Sequence, residues 1–344
     1  MVSGETVLVL KKLIIIILFL AVAALGAGFW AYQQAINFTQ QPVMLEKAQL
    51  VEVKSGTSYR KLIRQFEEKK WISDTQWARF THKLSPQLTN IKAGTYWVEP
   101  NQTLAEVLTQ LKTGKEHQFS ITFVEGSRFS EWQQQLEQAP YLEHELEGMS
   151  EEDIASKLGI ERSKLEGLFL AETYHYTAGM SDFDILERSH KALVTLLDTE
   201  WETKSANLPL KSSYEALILA SIIEKETAID SERERVSSVF VNRLRRGMRL
   251  QTDPTVIYGM GDKYDGNIRK KDLRTPTAYN TYTINGLPPT PIAMAGPASI
   301  KAALHPETSR YLYFVADGTG GHKFTKSLVE HNKAVRAYLR TLRN

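Results

Sequence analysis

The stretch from Ala216 to Asp230 reads ALILASIIEKETAID, and it decides how the second half of the chain is interpreted. Its long apolar run followed by charged residues predicts a helix that buries one face. Because a helix turns by about 100° per residue, Glu224 and Glu226 lie roughly 160° apart around its axis. The two carboxylates therefore cannot act as a pair.

Glu226 is the unexpected residue of this predicted helix. Its position falls near the middle of an arc of four apolar residues, Ile218, Leu219, Ile222 and Ile223. A carboxylate placed where a core side chain belongs must be neutralised, paired or functional. Burial would raise its pKa toward the range that a general acid needs near neutral pH. The helix alone leaves two structural alternatives open: an arginine of the SERER run at 231–235 pairs with the carboxylate, or the helix end is frayed.

The composition excludes several kinds of chemistry. The chain has 344 residues, of which 42% are hydrophobic and 24% charged, as in ordinary globular proteins with room for two or more domains. The net charge is +2, and the sequence has no basic and aromatic ladder that would indicate nucleic-acid binding. It has no cysteine for a disulfide or a thiolate, and its histidines lack the spacing of metal ligands. We therefore expect neither a metal site nor a cofactor.

An uncharged segment at 13–32, LIIIILFLAVAALGAGFWAY, predicts a transmembrane helix. Lys11 and Lys12 precede it, whereas the next charged residue is Glu46, so residues 1–12 are predicted to be cytoplasmic. The large remainder would then lie outside the cytoplasm, on a single-pass membrane anchor. A cleavable signal peptide is the alternative, but its apolar region would be shorter, and Phe29 and Trp30 are typical of an interfacial anchor.

The exported part begins with a polar segment at 33–47, which is interpreted as a stalk. Strand-turn-helix patterns then start at Val53, Val98 and Val124. The first two, with a strand in IKAGTYWV at 91–98, predict a small α+β module at 48–117. The third opens a mainly helical connecting region at 118–212. The fold class is therefore α+β.

Residues 213–344 are predicted to form the catalytic domain. A long helix is followed by a second helix that ends at Gly247, and then by a loop-rich segment up to about residue 310. Ordered loops at this density usually shape a binding cleft. The turn GTGG at 318–321 predicts a hairpin rather than a phosphate-binding loop, because a strand follows it, and a helix closes the chain.

Carboxylate chemistry is the enzymatic interpretation that remains. No GxSxG or SxxK motif supplies a serine nucleophile. Glycoside cleavage suits an isolated acid in a cleft rimmed by aromatic and amide side chains, here Tyr174, Tyr176, Gln251, Tyr279, Asn280, Tyr282 and Asn285. A hydrolase would normally need a second carboxylate, and the candidates are Glu172, Asp253 and Asp262.

Six stretches between residues 221 and 335 resemble one known family: SIIEKET, VFVNRLRRGMRLQTDPTVIYGMG, TAYNTYTINGLPP, LHP, YLYFVADGTGGHKF and EHNKAV. They resemble the endolytic murein transglycosylases (MltG/YceG-like), and the similarity covers nearly the whole chain, with 48–117 similar to the family's LysM-like subdomain. The resemblance implies cleavage of the MurNAc-β-1,4-GlcNAc bond inside peptidoglycan strands, leaving 1,6-anhydroMurNAc ends without consuming water. It also suggests nascent strands as the substrate and peptidoglycan synthases of the elongation or division machinery as partners.

The resemblance assigns the catalytic role to the second glutamate of the SIIEKE motif, which is Glu226. This acid would protonate the glycosidic oxygen and then take the proton of the muramic acid C6 hydroxyl as that oxygen attacks C1. Matching motif positions imply substrate binding by Gln251, Asp253, Tyr279, Asn280 and Tyr282. Further candidates for the substrate site are Glu224, Glu172 and Tyr174.

Two departures from the family pattern affect the expected loop shape and substrate preference. The family often has PDTY where this chain has AETY at 171–174, and often PPGPI followed by NP where it has PPTPIAM at 288–294. Two alternative functions remain at this point. A non-catalytic wall-binding protein would not need Glu226, and a water-using muramidase would not leave anhydro ends.

Overall fold

The computed structural model describes residues 4–342, with side chains described from Leu8 onwards. The first three residues of the predicted cytoplasmic segment 1–12 and the last two of the predicted catalytic domain lie outside this range. The chain folds as two units, Met1–Phe119 (unit 1) and Ser120–Asn344 (unit 2). Helices and small two-stranded sheets mix along the chain, as the α+β prediction requires.

Unit 1 begins with one long helix, α1 (Gly4–Gln40). Every described side chain from Leu8 to Trp30 is exposed. Among the described residues, α1 is the one helix long and apolar enough to cross a membrane, judged by length and composition. The span predicted at 13–32 lies inside it.

The second part of α1 belongs to the core of unit 1. Residues 33–40, which the sequence suggested as part of a stalk, continue the helix, and Ala35 and Phe38 are buried. Val43, just beyond the helix, is also buried in the same core. The spacing of three between Ala35 and Phe38 places them on one helix face, but the polar residues around them hide this signal.

The remainder of unit 1 follows the predicted strand-turn-helix repeats. Its two strands pair antiparallel, with Val51 opposite Tyr96. Ser58 and Thr103 begin the helices that follow the two strands, since each side chain accepts a hydrogen bond from the backbone N–H three residues on. The elements are β1 (Gln49–Val53), α2 (Tyr59–Glu68), α3 (Ala78–Leu84), β2 (Gly94–Val98) and α4 (Leu104–Thr113).

The first part of unit 2 is the region predicted as a helical connection. Its two short strands pair with each other, and the Phe123 N–H donates to the Glu172 carbonyl next to them. The longest helix of this part is capped by Ser181, which bonds reciprocally with Asp184. The elements are β3 (Phe119–Thr122), α5 (Phe129–Glu137), α6 (Glu151–Lys157), β4 (Thr173–Tyr176) and α7 (Asp182–Glu202).

The helix predicted from the ALILASIIEKE stretch is α8 (Ser213–Glu226), and it lies at the centre of unit 2. All eight residues from Ala216 to Ile223 are buried, because neighbouring helices surround α8. Ser221 ties a loop to it, since its Oγ accepts a hydrogen bond from the Ile292 N–H. The neighbours of α8 are α7, α9 (Asp230–Arg245), α10 (Asp253–Met260) and α11 (Pro297–Leu304).

The chain ends in the predicted hairpin and helix. Strands β5 (Tyr313–Ala316) and β6 (His322–Thr325) pair antiparallel around the GTGG turn, with Tyr313 opposite Thr325. Helix α12 (Leu328–Thr341) lies against both strands and contains no fully buried residue. The hairpin prediction is thus confirmed. Helix α12 packs on the surface of unit 2 without a fully buried residue.

Candidate active site

Glu226 is the last residue of α8 and lies where this buried helix reaches a cleft of about 440 Å³. The helix ends because Thr227 adopts an extended backbone. The cleft is lined by residues from α8, α9, the loop before α10, the loop of Tyr282, β5 and α12. The lining comprises Glu226, Phe240, Arg243, Leu250, Gln251, Thr252, Asp253, Tyr282, Tyr313, Phe314, Val315, Leu328, His331 and Val335.

The loop before α10 brings polar groups to the Glu226 carboxyl. The Thr252 hydroxyl donates a hydrogen bond to Glu226 Oε1. Asp253 follows directly as the first residue of α10, and its Oδ1 accepts a hydrogen bond of 2.7 Å from the Tyr282 hydroxyl. An acid, a second carboxylate and a phenol therefore share one cleft.

The surroundings of Glu226 bring the pKa of its carboxyl into the neutral range. Burial raises the pKa of its carboxyl to about 7, and the negative charge of Asp253 acts in the same direction. The Thr252 hydrogen bond and the charges of His322 and Arg243 oppose this shift in the pKa. A carboxylic acid that loses its proton near pH 7 can serve both as an acid and, once ionised, as a base.

Arg243 is a buried cation in the wall of the cleft, and its guanidinium is held by backbone carbonyls. Its Nε donates to the Leu312 carbonyl and its Nη1 to the Leu250 carbonyl, both at 2.6 Å. The guanidinium also lies 5.0 Å from the centre of the Tyr313 ring. This network connects α9 with the loop before α10 and with β5, so it fixes three walls of the cleft.

Gln251 has a left-handed backbone, with φ of 50°, which is uncommon for a residue other than glycine. Its N–H donates to the Thr281 carbonyl, and the next N–H, of Thr252, donates to the Thr281 hydroxyl. These bonds hold the turn that aims Thr252 at Glu226. Local strain of this kind is often found where a functional loop is fixed by its surroundings.

The sequence profile of the YceG-like family matches residues 51–337, which include every residue that lines the cleft. The chain belongs to the YceG-like family. A relative from Bacillus subtilis named endolytic murein transglycosylase is 33% identical over 271 residues, which are 73% of this chain and 74% of the relative.

Two further proteins are similar to this chain. A protein of the same name from Streptococcus pneumoniae is 30% identical over 190 residues, which are 53% of this chain and 34% of that protein. A crystal structure of a YceG-like protein from Listeria monocytogenes matches with a TM-score of 0.52 and 30% sequence identity. The match covers 84% of this chain and 99% of that one.

The structure brings together four of the residues predicted for the site of this YceG-like protein: Glu226, Gln251, Asp253 and Tyr282. Asn280 is buried behind the cleft, and its amide nitrogen donates to the carbonyls of Asp272, Leu273 and Thr275. Its Oδ1 accepts from the Tyr282 N–H at 2.9 Å. Asn280 therefore shapes the loop that presents Tyr282.

Glu224 lies elsewhere, although only Lys225 separates it from Glu226. Its side chain is 6% exposed, and its Oε2 accepts a hydrogen bond of 3.0 Å from the Gly296 N–H. Its Oε1 is 3.7 Å from Arg233 Nη2 on α9. This carboxylate connects α8 to α9 and to the loop before α11, which is a structural role.

The other residues predicted for the site are not among the described residues that line the Glu226 cleft. The Tyr279 hydroxyl bonds the Thr290 hydroxyl at 2.9 Å, and the Tyr174 hydroxyl donates to the Leu170 carbonyl at 2.8 Å. Glu172 is exposed beside β4, and Asp262 is exposed in a short turn after α10. Tyr176 is buried, with its hydroxyl bonded to the Pro140 carbonyl, and Asn285 accepts from Arg249.

Sequence reasoning missed Arg243, Thr252 and His331. His331 on α12 stacks on Tyr313 with the ring centres 5.1 Å apart, and burial lowers the pKa of its imidazole. Thr252 could have been found from its place between Gln251 and Asp253, although it is buried whereas both neighbours are exposed. Arg243 and His331 gave no local signal, because their neighbours come from distant parts of the chain.

Unit 2 contains a second acid of similar pKa. Glu166 is buried, its Oε1 accepts a hydrogen bond of 3.0 Å from the Phe129 N–H, and it bonds the Tyr258 hydroxyl on α10. Burial raises the pKa of its carboxyl to about 7. Glu166 does not line the Glu226 cleft. Its hydrogen bond to Tyr258 therefore holds α10 in place and does not contact a ligand in that cleft.

A second cleft, of about 650 Å³, lies on another side of α12. Tyr311, Lys323 and Phe324 contribute from the hairpin region, and Lys333 and Tyr338 contribute from α12. Residues of α12 thus line this cleft as well as the Glu226 cleft.

Proposed function

We propose that this chain is an endolytic murein transglycosylase that cleaves the MurNAc-β-1,4-GlcNAc bond inside peptidoglycan strands and leaves 1,6-anhydroMurNAc ends. The observation that carries the proposal is a single acid, Glu226, whose pKa of about 7 lets it give and take a proton in one cleft. The names of the relatives from Bacillus subtilis and Streptococcus pneumoniae support the same activity.

In the proposed reaction, the Glu226 carboxyl donates its proton to the glycosidic oxygen as the bond from that oxygen to C1 of muramic acid breaks. The C6 hydroxyl of the same sugar attacks C1, and its proton returns to the Glu226 carboxylate. The bond that forms closes the 1,6-anhydro ring, so no water enters and Glu226 is protonated again. Arg243 stabilises the carboxylate between the two proton transfers, since its positive charge lowers the pKa of Glu226.

The cleft supplies groups that suit a sugar. Tyr282 and Tyr313 offer aromatic faces for sugar rings, while Gln251 and Asp253 offer polar groups for sugar hydroxyls. Asn280 fixes the loop of Tyr282, and Glu224 fixes the end of α8. We assign Tyr279, Tyr174 and Glu172 to the surroundings rather than to direct substrate contact.

The location of the protein follows from α1. We propose that residues 13–32 anchor the chain in the inner membrane with residues 1–12 in the cytoplasm, which places residues 33–344 in the periplasm. The module at 48–117 would be a LysM-like subdomain and 213–344 the catalytic domain, reached through the region 118–212. Nascent strands would be the substrate, with synthases of the elongation or division machinery as partners.

A water-using muramidase is the second candidate, because Asp253 shares the cleft with Glu226 and could act as a base toward water. Digestion of purified glycan strands by the full chain in detergent, with mass analysis of the new ends, separates the two. We expect anhydro ends, lighter by one water than reducing ends, and none from the Glu226→Gln variant. Reducing muramic acid ends would favour the muramidase, and strands bound without cleavage would favour a scaffold.

A further inference from the structure

We propose that the exported part of unit 1, residues 41–119, lies on the outer surface of the membrane and that a basic groove between α2 and the segment 73–84 binds anionic phospholipid headgroups. This inference rests on the proposed anchor in α1 and goes beyond it, because an anchor alone does not say whether the exported module touches the bilayer. The groove lies at the depth of the membrane interface, it is basic, and its arginines have no ion-pair partner among the described residues.

The depth is set by the aromatic pair Trp30 and Trp77. The apolar stretch 13–32 has about the length needed to span the hydrocarbon core, so Trp30 near its end lies at the outer interface, where tryptophan is preferred. The Trp77 ring lies 5.5 Å from the Trp30 ring in an edge-to-face contact. Trp77 belongs to the exported module, so the module itself reaches the depth of the interface.

The segment 73–84 runs down α1 toward the membrane. At its upper end, the Ser73 N–H donates to Gln41 Oε1 at 2.9 Å, and Gln41 Nε2 donates to the Ser73 carbonyl at 3.1 Å. Gln41 is about 16 Å above Trp30 along the helix axis, at 1.5 Å per residue. Because Trp77 contacts Trp30 only four residues after Ser73, the chain descends steeply, and α3 follows at the lower level.

The groove on this segment has a volume of about 730 Å³ and is strongly basic. Arg60 and Arg64 line it from α2, and Arg79 and His82 line it from α3. Its one carboxylate, Glu67, accepts a hydrogen bond of 2.6 Å from the Thr75 hydroxyl. The whole stretch from Tyr59 to Lys83 holds seven lysines and arginines against three acids.

The arginines of the groove are exposed, and none has an ion-pair partner among the described residues. Guanidinium groups bind phosphate oxygens with two parallel hydrogen bonds, which suits a headgroup phosphate. Arginines without an ion-pair partner at the level of lipid headgroups, next to an interfacial tryptophan pair, favour a lipid phosphate as the occupant.

A spin-label experiment tests the depth of the groove. The chain has no cysteine, so Gln76→Cys in the groove lining and Met44→Cys, which is exposed beyond the far end of α1, each give a unique labelling position. The full chain is placed in lipid nanodiscs that contain phosphatidylglycerol or phosphatidylcholine alone. We expect phosphatidylglycerol to shield the Gln76 label from a water-soluble nickel reagent and to leave the Met44 label accessible.

The charge requirement is tested by Arg60, Arg64 and Arg79, all changed to Gln. Each basic side chain near an anionic surface contributes roughly a fivefold factor in affinity, so the triple change should weaken docking on the order of 100-fold. The Gln76 label should then become as accessible as the Met44 label, with the thermal melt unchanged. A control triple changes the exposed Lys47, Lys54 and Lys115 to Gln and should keep the label shielded.

Each result has a separate meaning. A Gln76 label that is accessible in phosphatidylglycerol discs overturns the inference and leaves the anchor intact. Shielding that survives the arginine triple, or that appears only when soluble glycan strands are added, also overturns it. A chain that elutes free of the discs overturns the anchor and with it the docking of unit 1.

Discussion

At the scale of single residues, Glu224 and Glu226 show how helix position separates two carboxylates. The helical wheel placed Glu226 among apolar residues, and the structure adds that α8 is buried on all sides up to Ile223. Glu224 is therefore buried too, but against Arg233 and the Gly296 N–H. Glu226 meets the cleft because the helix stops there.

We expect the two glutamates to respond differently to replacement by glutamine. Glu226→Gln keeps the size of the side chain but cannot deliver a proton, so strand cleavage should fall by roughly 100-fold or more. Glu224→Gln removes the charge that faces Arg233, so the free energy of unfolding should fall by about 1–3 kcal/mol. Cleavage assays beside thermal melts check both, and a folded but inactive Glu224→Gln protein would contradict the assignment.

The hydrogen bond from Thr252 should set the pH range of activity. Cleavage requires protonated Glu226, so kcat/KM should decline as the pH rises through about 7. Thr252 stabilises the carboxylate, so Thr252→Val raises the pKa of Glu226, and the decline should move to higher pH. A pH profile of cleavage measures this shift, with Thr95→Val in unit 1 as a buried control, and a shift to lower pH would argue against the role of Thr252.

At the scale of elements, the single helix α1 combines an exposed apolar part with a part that packs into the core of unit 1. Its first described part is apolar and exposed throughout, whereas Ala35 and Phe38 are buried in the core of unit 1. The last turns of α1 also contribute to folding, because Gln41 directly after them holds Ser73 through two hydrogen bonds. A soluble truncated chain must therefore begin after the exposed apolar part of α1, which reaches Trp30, and before the buried Ala35.

We expect a chain that begins at Gln33 to be more stable than one that begins at Leu45. The shorter chain loses Phe38 and Val43 from the core, which should lower the free energy of unfolding by on the order of 5 kcal/mol. Chemical denaturation followed by circular dichroism compares the two. Within the longer chain, Phe38→Ala should be clearly destabilising and the exposed Asn37→Ala nearly neutral. Equal stability of the two truncated chains would contradict this account.

Local patterns predicted several elements of the fold. The hairpin around GTGG, the strand-turn-helix order of unit 1 and α8 all follow from short stretches whose signals are complete in themselves. The cleft is different, because Glu226, Gln251 and Tyr282 were identified singly while Arg243 and His331 depend on contacts across many residues. Tyr279 and Asn280 carry site-like residue types, but the fold turns them toward their own loop.

At the scale of the whole molecule, two buried acids make stability depend on pH. Burial raises the pKa of both Glu226 and Glu166 to about 7, well above the value of an exposed glutamate. The folded state therefore binds more protons than the unfolded state between about pH 4.5 and pH 7. Stability contributed by these groups is present at low pH and is lost as the pH rises through this window.

We expect Glu166→Gln to flatten this dependence. The amide imitates the protonated acid, and it can still accept from the Phe129 N–H and bond the Tyr258 hydroxyl. The wild-type protein should lose on the order of 3 kcal/mol through Glu166 between pH 4.5 and pH 8, and the variant should not. Denaturation curves across this range measure the difference, with the exposed Glu172→Gln as the control. An equal slope in both proteins would be the contrary result.

In the molecule as a whole, helix α12 lines two separate clefts. It holds no fully buried residue. His331 and Val335 face the Glu226 cleft, while Ala334 and Tyr338 line the other one. An element held by so little buried surface has a low free energy of local opening. A ligand of the second cleft that shifts α12 must change the affinity of the Glu226 cleft for its substrate by some factor. Thermodynamic linkage then requires the substrate to change the affinity of the second cleft for that ligand by the same factor.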